Sequence, residues 1–367
     1  MSTMMSETIN KADLFEPLVM ARGPALANRV VLAPLTNQQS LPDGRLSDDE
    51  YRWLTMRAEG GFGLTFTCAA HVQAIGQGFP GQLGVFSDIH LEGLRRLASG
   101  IRDRGSVSSL QLHHGGIRAL PEIVGTPVGP SDNEETKSRG LTLEEVEQVR
   151  EDFIAGARRA EAAGFDGVEV HGAHGYLLTQ FLSPEFNLRT DRYGGSLENR
   201  ARLIHEIIDG IRAQCRPDFQ VGLRLSPERF GLRLLEVRDV AAEALRKAQI
   251  DYLDMSLWNA FGQPNEESLR GKSLMSYFTE LPRGAVRLGA AGKIRSAQDA
   301  MRALELGCDF VLIGRAAILR HDFPRRVRND PEYTTPVGPV SREYLASEGL
   351  GPAFVDYMGT WKGFVTE

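Results

Sequence analysis

Cysteine is scarce in this chain of 367 residues, which has three cysteines, at positions 68, 215 and 308. Their wide spacing excludes a disulfide framework and a Cys-x-x-Cys metal or cluster motif. We therefore expect a reducing, cytoplasmic setting in which Cys68, Cys215 and Cys308 are ordinary structural thiols.

Long hydrophobic runs and blocks of one charge are also missing. The longest apolar stretches have the length of a strand, well short of the roughly 20 residues that cross a bilayer. Residues 1–17 show no signal-peptide pattern. Forty-two Lys and Arg against 48 Asp and Glu give a net charge of −6, and no basic cluster stands out. We expect neither a membrane nor a nucleic acid as a partner.

What the sequence does contain is a repeated unit, made of a short apolar run, a turn and an amphipathic helical segment. The eight apolar runs span residues 29–35, 62–70, 106–112, 165–171, 219–225, 250–257, 283–290 and 308–314. Such runs are typical of parallel strands buried on both faces. They predict a single α/β domain over residues 1–367, a (β/α)8 TIM barrel from about 28 to 330. An open doubly wound sheet is the alternative, but no G-x-G-x-x-G follows the first strand.

Capping residues mark the ends of two predicted helices. One helix should begin after Thr142, with Glu145 completing a capping box, and end at Gly164. A second should begin after Ser296 and end at Gly307.

Two stretches do not fit the repeat. Residues 113–141 are rich in Gly and Pro and too long for a routine barrel loop, so we predict an excursion over one barrel face after the third strand. Residues 331–367 form a C-terminal tail that should pack on a surface or help to form a homo-oligomer contact. Its aromatic residues include Tyr344, Phe354, Tyr357, Trp361 and Phe364.

The carboxyl ends of the strands hold the active site in barrels of this kind. Here they carry Ala33, Pro34, Thr36, Ala69, Gln111, His114, His171, His174 and Arg224. Glycine-containing turns follow the last two strands at 289–293 and 314–315, where barrels commonly bind a phosphate. A neutral amide and a guanidinium together fit an anionic, planar cofactor, although each residue alone could be a loop anchor or a salt-bridge partner.

The pair His171 and His174, followed by Tyr176, allows three interpretations. A metal site requires a third protein ligand, and the nearest candidate, Glu169, should point sideways or outward, so we expect no metal. A structural role for His171 and His174 as core histidines remains an alternative. We favour two neutral imidazoles that donate to one acceptor oxygen, with Tyr176 as the proton donor.

Over nearly its whole length the chain resembles the old yellow enzyme family of FMN-dependent ene-reductases. The motifs "LAPLT", "LQLHHGG", "VEVHGAHGYLLTQFLSPEFNLRTDRYGGSLENR", "VGLRLSP" and "DFVLIGRAAI" follow one another in the family's order. The resemblance implies a TIM barrel with tightly but non-covalently bound FMN, and NAD(P)H as the reductant. It also implies ping-pong reduction of an α,β-unsaturated carbonyl compound.

The same resemblance implies roles for individual residues. His171 and His174 would hold the substrate carbonyl, hydride would reach the β-carbon, and Tyr176 would protonate the α-carbon. FMN would be bound by Ala33, Pro34, Leu35, Thr36, Ala69, Gln111, His171, Arg224, Gly292, Lys293, Gly314 and Arg315. Among these, Arg224 would face flavin N1 and O2, and the last four residues would bind the phosphate.

The sequence departs from the family pattern in places that affect the pocket. Ile117 stands where many relatives carry Arg, and Arg118 is displaced by one position. Residues 37–45 lack the aromatic side chain that often walls the substrate pocket. Other functions therefore stay open: the reduction of nitro compounds or other acceptors, or binding of a flavin and phenols without this turnover.

Overall fold

Eight parallel strands close into a barrel in the computed structural model, which describes residues 11–366. With the two strands of a small separate sheet, β4 and β5, the described strands are β1 Val30–Leu32, β2 Leu64–His71, β3 Val107–His113, β4 Val128–Gly129, β5 Arg139–Gly140, β6 Gly167–Gly172, β7 Gln220–Leu225, β8 Tyr252–Ser256, β9 Arg287–Ala291 and β10 Phe310–Ile313. The barrel order is β1-β2-β3-β6-β7-β8-β9-β10, and β4 pairs only with β5. Each predicted run overlaps one barrel strand, so the predicted (β/α)8 fold is confirmed. Residues 1–10, which belong to the stretch tested for a signal peptide, lie outside the described residues.

Helices alternate with these strands. They are α1 Lys11–Leu14, α2 Asp48–Glu59, α3 Leu91–Arg102, α4 Pro121–Val124, α5 Leu143–Ala162, α6 Leu177–Leu182, α7 Leu197–Gln214, α8 Leu234–Lys247, α9 Ser276–Thr279, α10 Ala297–Glu305, α11 Arg315–Leu319, α12 Phe323–Asn329, α13 Arg342–Ser347 and α14 Pro352–Gly359. In the part of the chain that the structure describes, none of them combines the length and apolar character that crossing a membrane requires.

The predicted helix caps are confirmed. The Thr142 hydroxyl accepts from the backbone N–H of Glu145, and the Glu145 carboxylate accepts from the backbone N–H of Thr142. At the start of α10, the Ser296 hydroxyl accepts from the backbone N–H of Asp299. Gly164 and Gly307 follow these helices with φ values of +89° and +97°, a conformation that favours glycine.

The amino-terminal end of the barrel is filled by apolar side chains. An antiparallel bridge joins Leu18 to Leu26, and both side chains are buried in one cluster with residues near the starts of strands, such as Val31, Leu64 and Val107. This plug closes one end of the barrel, so the carboxyl ends of the strands form the end that is available for a site.

The predicted excursion leaves the barrel after β3 and packs back against the segment that follows α6. Ile117 is buried and its backbone N–H donates to the Gln180 side chain at 3.1 Å. Arg189 pairs with Asp191 and donates to the backbone carbonyl oxygens of Pro130 and Leu141. These charges serve the fold, because they anchor the excursion at the carboxyl end of the barrel.

The C-terminal tail packs on the barrel's outer helices, as predicted. Phe354 of α14 meets Trp53 of α2 edge to face, with ring centroids 5.3 Å apart. Trp361 lies under the guanidinium of Arg315, which is 5.2 Å from the ring centroid. The tail therefore connects α2 with the turn that follows the last barrel strand.

Candidate active site

Side chains from neighbouring strands meet at the carboxyl end of the barrel. In the register between β3 and β6, Gln111 is opposite Glu169. In the register between β6 and β7, His171 is opposite Arg224. Successive side chains of a strand alternate between faces, so residues two apart point to the same side. The inward face of β6 thus carries both Glu169 and His171.

The structure brings the three predicted catalytic residues together. The ring centroids of His171 and His174 lie 5.0 Å apart, and those of His171 and Tyr176 lie 5.5 Å apart. His171 ends β6, while His174 and Tyr176 follow in the turn before α6. One rim segment therefore supplies two imidazoles and a phenol to the same space.

His174 is held from several sides. Its φ is +63°, in the left-handed region that non-glycine residues seldom adopt. Ser226 accepts the backbone N–H of His174 at 2.9 Å, and Arg118 donates to its carbonyl oxygen. Nε2 of the ring lies 2.7 Å from the Ser256 hydroxyl. These contacts fix both the backbone and the ring at the rim.

Burial keeps the histidine pair uncharged. It lowers the pKa of His174 to about 3, and the positive charges of Arg224 and Arg118 add to that effect. Burial also lowers the pKa of His171 well below its ordinary value, with His174 and His113 contributing. Each ring therefore carries a single N–H at neutral pH and can donate to an oxygen, but cannot act as an imidazolium acid.

Two opposing effects act on the pKa of Tyr176. Burial raises the pKa of its phenol, whereas Arg118, whose guanidinium lies 4.8 Å from the ring centroid, lowers it. Arg118 thus reaches the site although the sequence places it one position away from the family's usual Arg. The phenol stays protonated at neutral pH and has a proton to deliver.

The prediction that Glu169 points sideways or outward is wrong. Its carboxylate is buried and accepts from the Gln111 amide nitrogen at 2.7 Å. The physical reason is the two-residue spacing to His171, which puts both side chains on the inner face of β6. Burial and the charge of Asp254 together raise the pKa of Glu169 to about 8, against the opposing effects of Arg224 and of the hydrogen bond from Gln111. In the described residues no group of three or more His, Cys, Asp or Glu is placed to hold a metal ion.

The guanidinium of Arg224 lies beside the carboxyl groups of Glu169 and Asp254. Its Nε lies 3.0 Å from an Asp254 oxygen, and its Nη2 donates to the Ser256 hydroxyl at 3.2 Å. Burial raises the pKa of Asp254 to about 6, while the charge of Arg224 opposes that rise. Arg224 is thus held at the barrel mouth between an acid and a hydroxyl.

The remaining residues expected to bind the cofactor lie at or just after the carboxyl ends of β1, β2, β9 and β10, on the same rim of the barrel. Ala33 and Ala69 are buried near the ends of the first two strands, and Pro34, Leu35 and Thr36 are half-buried beyond β1. Because β9 pairs with β10, with Ala291 opposite Leu312, the turns at 292–293 and 314–315 lie side by side. Gly292 and Lys293 have φ values of +150° and +57°.

Several polar atoms of this centre fit a bound cofactor or substrate. Nδ1 of His171, Nε2 of His113 and one oxygen of Glu169 are buried without a hydrogen-bond partner in the part of the chain that the structure describes. Buried polar atoms of this kind are unfavourable unless a ligand satisfies them. These atoms, together with the guanidinium of Arg224, suit the polar edge of a flat ring.

Sequence reasoning assigned the wrong histidine to the end of β3. His114 turns away from the site, since its Nε2 lies 3.0 Å from the Gln73 side chain and its Nδ1 accepts from the backbone N–H of Gly116. His113 joins the cluster instead, with its ring centroid 4.4 Å from that of Tyr176. The signal was available, because His113 lies two residues after the inward-facing Gln111.

A cleft of about 580 Å³ opens beside His174. Its walls include Phe230 and Trp258, whose side chains are partly exposed, together with Asn259 and Ser256. The cleft gives a small molecule access to His174 from outside the barrel.

Comparison with known proteins gives a consistent result. The model of the NADH:flavin oxidoreductase / NADH oxidase family matches residues 13–333. A probable NADH-dependent flavin oxidoreductase of Bacillus subtilis is 36% identical over 361 residues, which cover 94% of this chain and 96% of that protein. The NADH:acrylate oxidoreductase of Vibrio harveyi is 32% identical over 342 residues, which cover 87% of this chain but 33% of that longer protein.

Solved structures agree with this match. The old yellow enzyme homologue from Zymomonas mobilis superposes with a TM-score of 0.79 at 26% identity, covering 94% of this chain and 99% of that one. Morphinone reductase in complex with tetrahydroNAD gives a TM-score of 0.76 at 28% identity, with 94% and 96% of the two chains covered. The chain therefore belongs to the NADH:flavin oxidoreductase / NADH oxidase family, the old yellow enzyme family, whose members use FMN with NADH or NADPH as the reductant.

Proposed function

We propose that this protein is an ene-reductase that reduces the C=C bond of α,β-unsaturated carbonyl compounds. The observation that carries the proposal is the convergence of two neutral imidazoles and a protonated phenol on one rim. The names of relatives, among them an acrylate oxidoreductase, support an activated alkene as the acceptor. The barrel, its excursion and its tail would then act as one FMN-binding domain.

The residues at the barrel mouth would hold FMN. Arg224 would offer its guanidinium, and Gln111 its amide, to the pyrimidine end of the flavin. Gly292, Lys293, Gly314 and Arg315 would bind the phosphate, and Ala33, Pro34, Leu35, Thr36 and Ala69 would line the ring. The chemistry that FMN supplies, when bound, is two-electron transfer from NAD(P)H to the acceptor.

His171 and His174 would bind and polarise the acceptor's carbonyl oxygen. Both rings are neutral, so each can give one N–H to an oxygen that gains negative charge during the reaction. Their centroids lie 5.0 Å apart, which lets both reach one atom. Ser226, Ser256 and Arg118 would keep His174 in place, so that little reorganisation is needed when that charge develops.

Tyr176 would deliver the proton that completes the reduction. Its phenol is protonated at neutral pH. A phenol is too weak an acid to protonate water appreciably, but it is acidic enough to protonate an enolate. Arg118 would stabilise the phenolate left behind, since its guanidinium lies 4.8 Å from the ring centroid. Walls of buried apolar residues would exclude bulk water from this proton transfer.

Anaerobic reduction and reoxidation of the FMN-loaded protein test the proposal. NADH or NADPH should bleach the yellow colour, and cyclohexenone should restore it with formation of cyclohexanone. If a nitro compound restores the colour and no enone does, the protein is a reductase of other acceptors. If no acceptor restores it while phenols still bind, the flavin- and phenol-binding alternative is correct.

A further inference from the structure

His113 is a third imidazole among the groups proposed to hold the acceptor. Its ring centroid lies 4.4 Å from that of Tyr176 and 5.6 Å from that of His171, with which it stacks. The side chain is completely buried. His113 has no role in the reaction proposed above. Its hydrogen bonds show which of its ring nitrogens can donate to a ligand.

Gln82 determines which ring nitrogen of His113 carries the proton. The backbone N–H of Gly78 donates to one side-chain atom of Gln82 at 2.7 Å. Because this atom accepts a hydrogen bond, it is the amide oxygen of Gln82 and not the amide nitrogen. The amide nitrogen of Gln82 then donates to the carbonyl oxygen of Ala69 at 2.9 Å and to Nδ1 of His113 at 3.0 Å. Since Nδ1 accepts a hydrogen bond, the proton of the neutral ring lies on Nε2.

The resulting Nε2–H of His113 has no protein partner. The ring is neutral, because burial lowers the pKa of His113 well below its ordinary value and nearby positive charge, including that of Arg118, adds to the effect. Nε2 is buried and accepts or donates no hydrogen bond within the described part of the chain. A buried donor without an acceptor is unfavourable, and a ligand oxygen would remove that cost.

We infer that Nε2–H of His113 binds a second oxygen of the electron acceptor, while His171 and His174 bind the first. The preferred acceptors are then alkenes flanked by two carbonyl groups, such as imides and enedicarbonyls. A site with a fixed donor disfavours a compound that lacks the matching oxygen. This inference rests on the proposed function and names the substrate class within it.

A matched pair of acceptors tests the substrate class. The reduced FMN enzyme is reoxidised by 2-methylmaleimide, which has two carbonyls, and by 2-methylcyclopentenone, which has one. The ratio of their kcat/KM values should fall by about five- to tenfold in His113→Phe, which loses the donor but keeps an aromatic ring. His113→Gln restores an N–H donor and should bring the ratio back towards that of the wild type.

The outcomes separate this inference from the proposed function. An unchanged ratio in His113→Phe overturns the role of His113, even if both acceptors are reduced. If neither acceptor reoxidises the wild type, the proposed function itself fails. The bound-FMN absorption of each variant shows that the site is folded.

A readout independent of turnover is ¹⁵N NMR of the FMN-loaded protein with labelled histidine, using His113→Gln to assign the signals. Nε2 of His113 should be protonated and Nδ1 should not. A proton on Nδ1 overturns the inference, because Gln82 would then not fix the donor.

Discussion

Ser256 connects the two halves of the site at the scale of single residues. Its hydroxyl accepts from Arg224 Nη2 at 3.2 Å and lies 2.7 Å from Nε2 of His174. Arg224 belongs to the proposed flavin side and His174 to the proposed acceptor side. Because a guanidinium can only donate, the hydroxyl's own hydrogen is free to reach the imidazole. One side chain thus sets the position of a residue on each side.

Replacing Ser256 by Ala should weaken ligand binding at the histidine pair. The imidazole of His174 loses the partner that fixes its ring, so we expect the affinity for a phenol such as 4-hydroxybenzaldehyde to fall by about five- to tenfold. The spectral change of bound FMN during titration measures this affinity. Ser256→Thr keeps the hydroxyl and should bind nearly as the wild type. Equal affinities for the Ala and Thr variants would show that the hydroxyl has no such role.

Some of these residues could be predicted from the sequence, for a geometric reason. Gln111, His171 and Arg224 stand at the carboxyl ends of neighbouring strands, and parallel strands bring those ends to one rim. The expectation that Glu169 points sideways or outward is wrong because residues two apart on a strand share a face, and the same rule places His113 beside Gln111. Applying the two-residue period from Gln111 and from His171 gives both side chains correctly.

Contacts that depend on tertiary packing could not be predicted. Ser256 ends β8, and only the closed barrel brings it next to His174 in the β6 turn. Gln82 reaches His113 from a loop after β2. No pattern within either segment indicates these partners, because the distances arise from how loops fold over the rim.

At the scale of elements, α2 joins the C-terminal tail to α11 through Arg57. This buried guanidinium donates to the backbone carbonyl oxygens of Ala317 and Ile318 in α11, and to that of Glu348 at 2.6 Å. Its position over Trp53 adds a cation–π contact, 4.4 Å from the ring centroid. Burial lowers the pKa of Arg57 to about 9, a change that the charge of Glu348 opposes.

Replacing Arg57 by Met should therefore loosen several elements at once. Three backbone carbonyls lose their partner in a dry interior, so we expect the free energy of unfolding to fall by about 3 kcal/mol. Urea unfolding followed by circular dichroism measures this change. Arg52→Met on the same helix is the matched control, because that side chain is exposed, and it should change stability by less than about 0.5 kcal/mol. Similar losses in both variants would contradict the anchoring role of Arg57.

The lengths of some elements were harder to predict than their existence. The first apolar run covers residues 29–35, but β1 ends at Leu32. Pro34 has no N–H to continue a ladder of hydrogen bonds, which accounts for the early end. The run at 283–290 also begins too early, because Gly284 has a φ of +56° and forms a turn before β9 starts at Arg287.

At the scale of the whole molecule, the fold followed from the count and spacing of the apolar runs. Eight runs buried on both faces, each followed by a helix, leave few arrangements other than a closed parallel barrel. The plug built around Leu18 and Leu26 at one end leaves the other end for chemistry. The excursion and the tail pack around the open end of the barrel and determine its shape.

The barrel rim, the excursion and the tail have different roles in the proposed function. The barrel rim holds the charged and polar groups, with Arg224, Gln111 and the histidine pair facing one space. The excursion supplies Arg118, and the tail supplies Trp361 beside Arg315. Acceptor reduction would thus depend on the rim, whereas retention of the cofactor would depend also on the tail.

The most direct test of the central claim is double-mixing stopped-flow on Tyr176→Phe, with each half of the reaction followed through the flavin absorbance. We predict that reoxidation by cyclohexenone slows by about 100-fold or more, because the proton donor is gone. Reduction by NADH, which requires no proton from Tyr176, should stay within about threefold of the wild type. Equal slowing of the two half-reactions, or an unchanged rate of reoxidation, would contradict the assignment of Tyr176 as the acid.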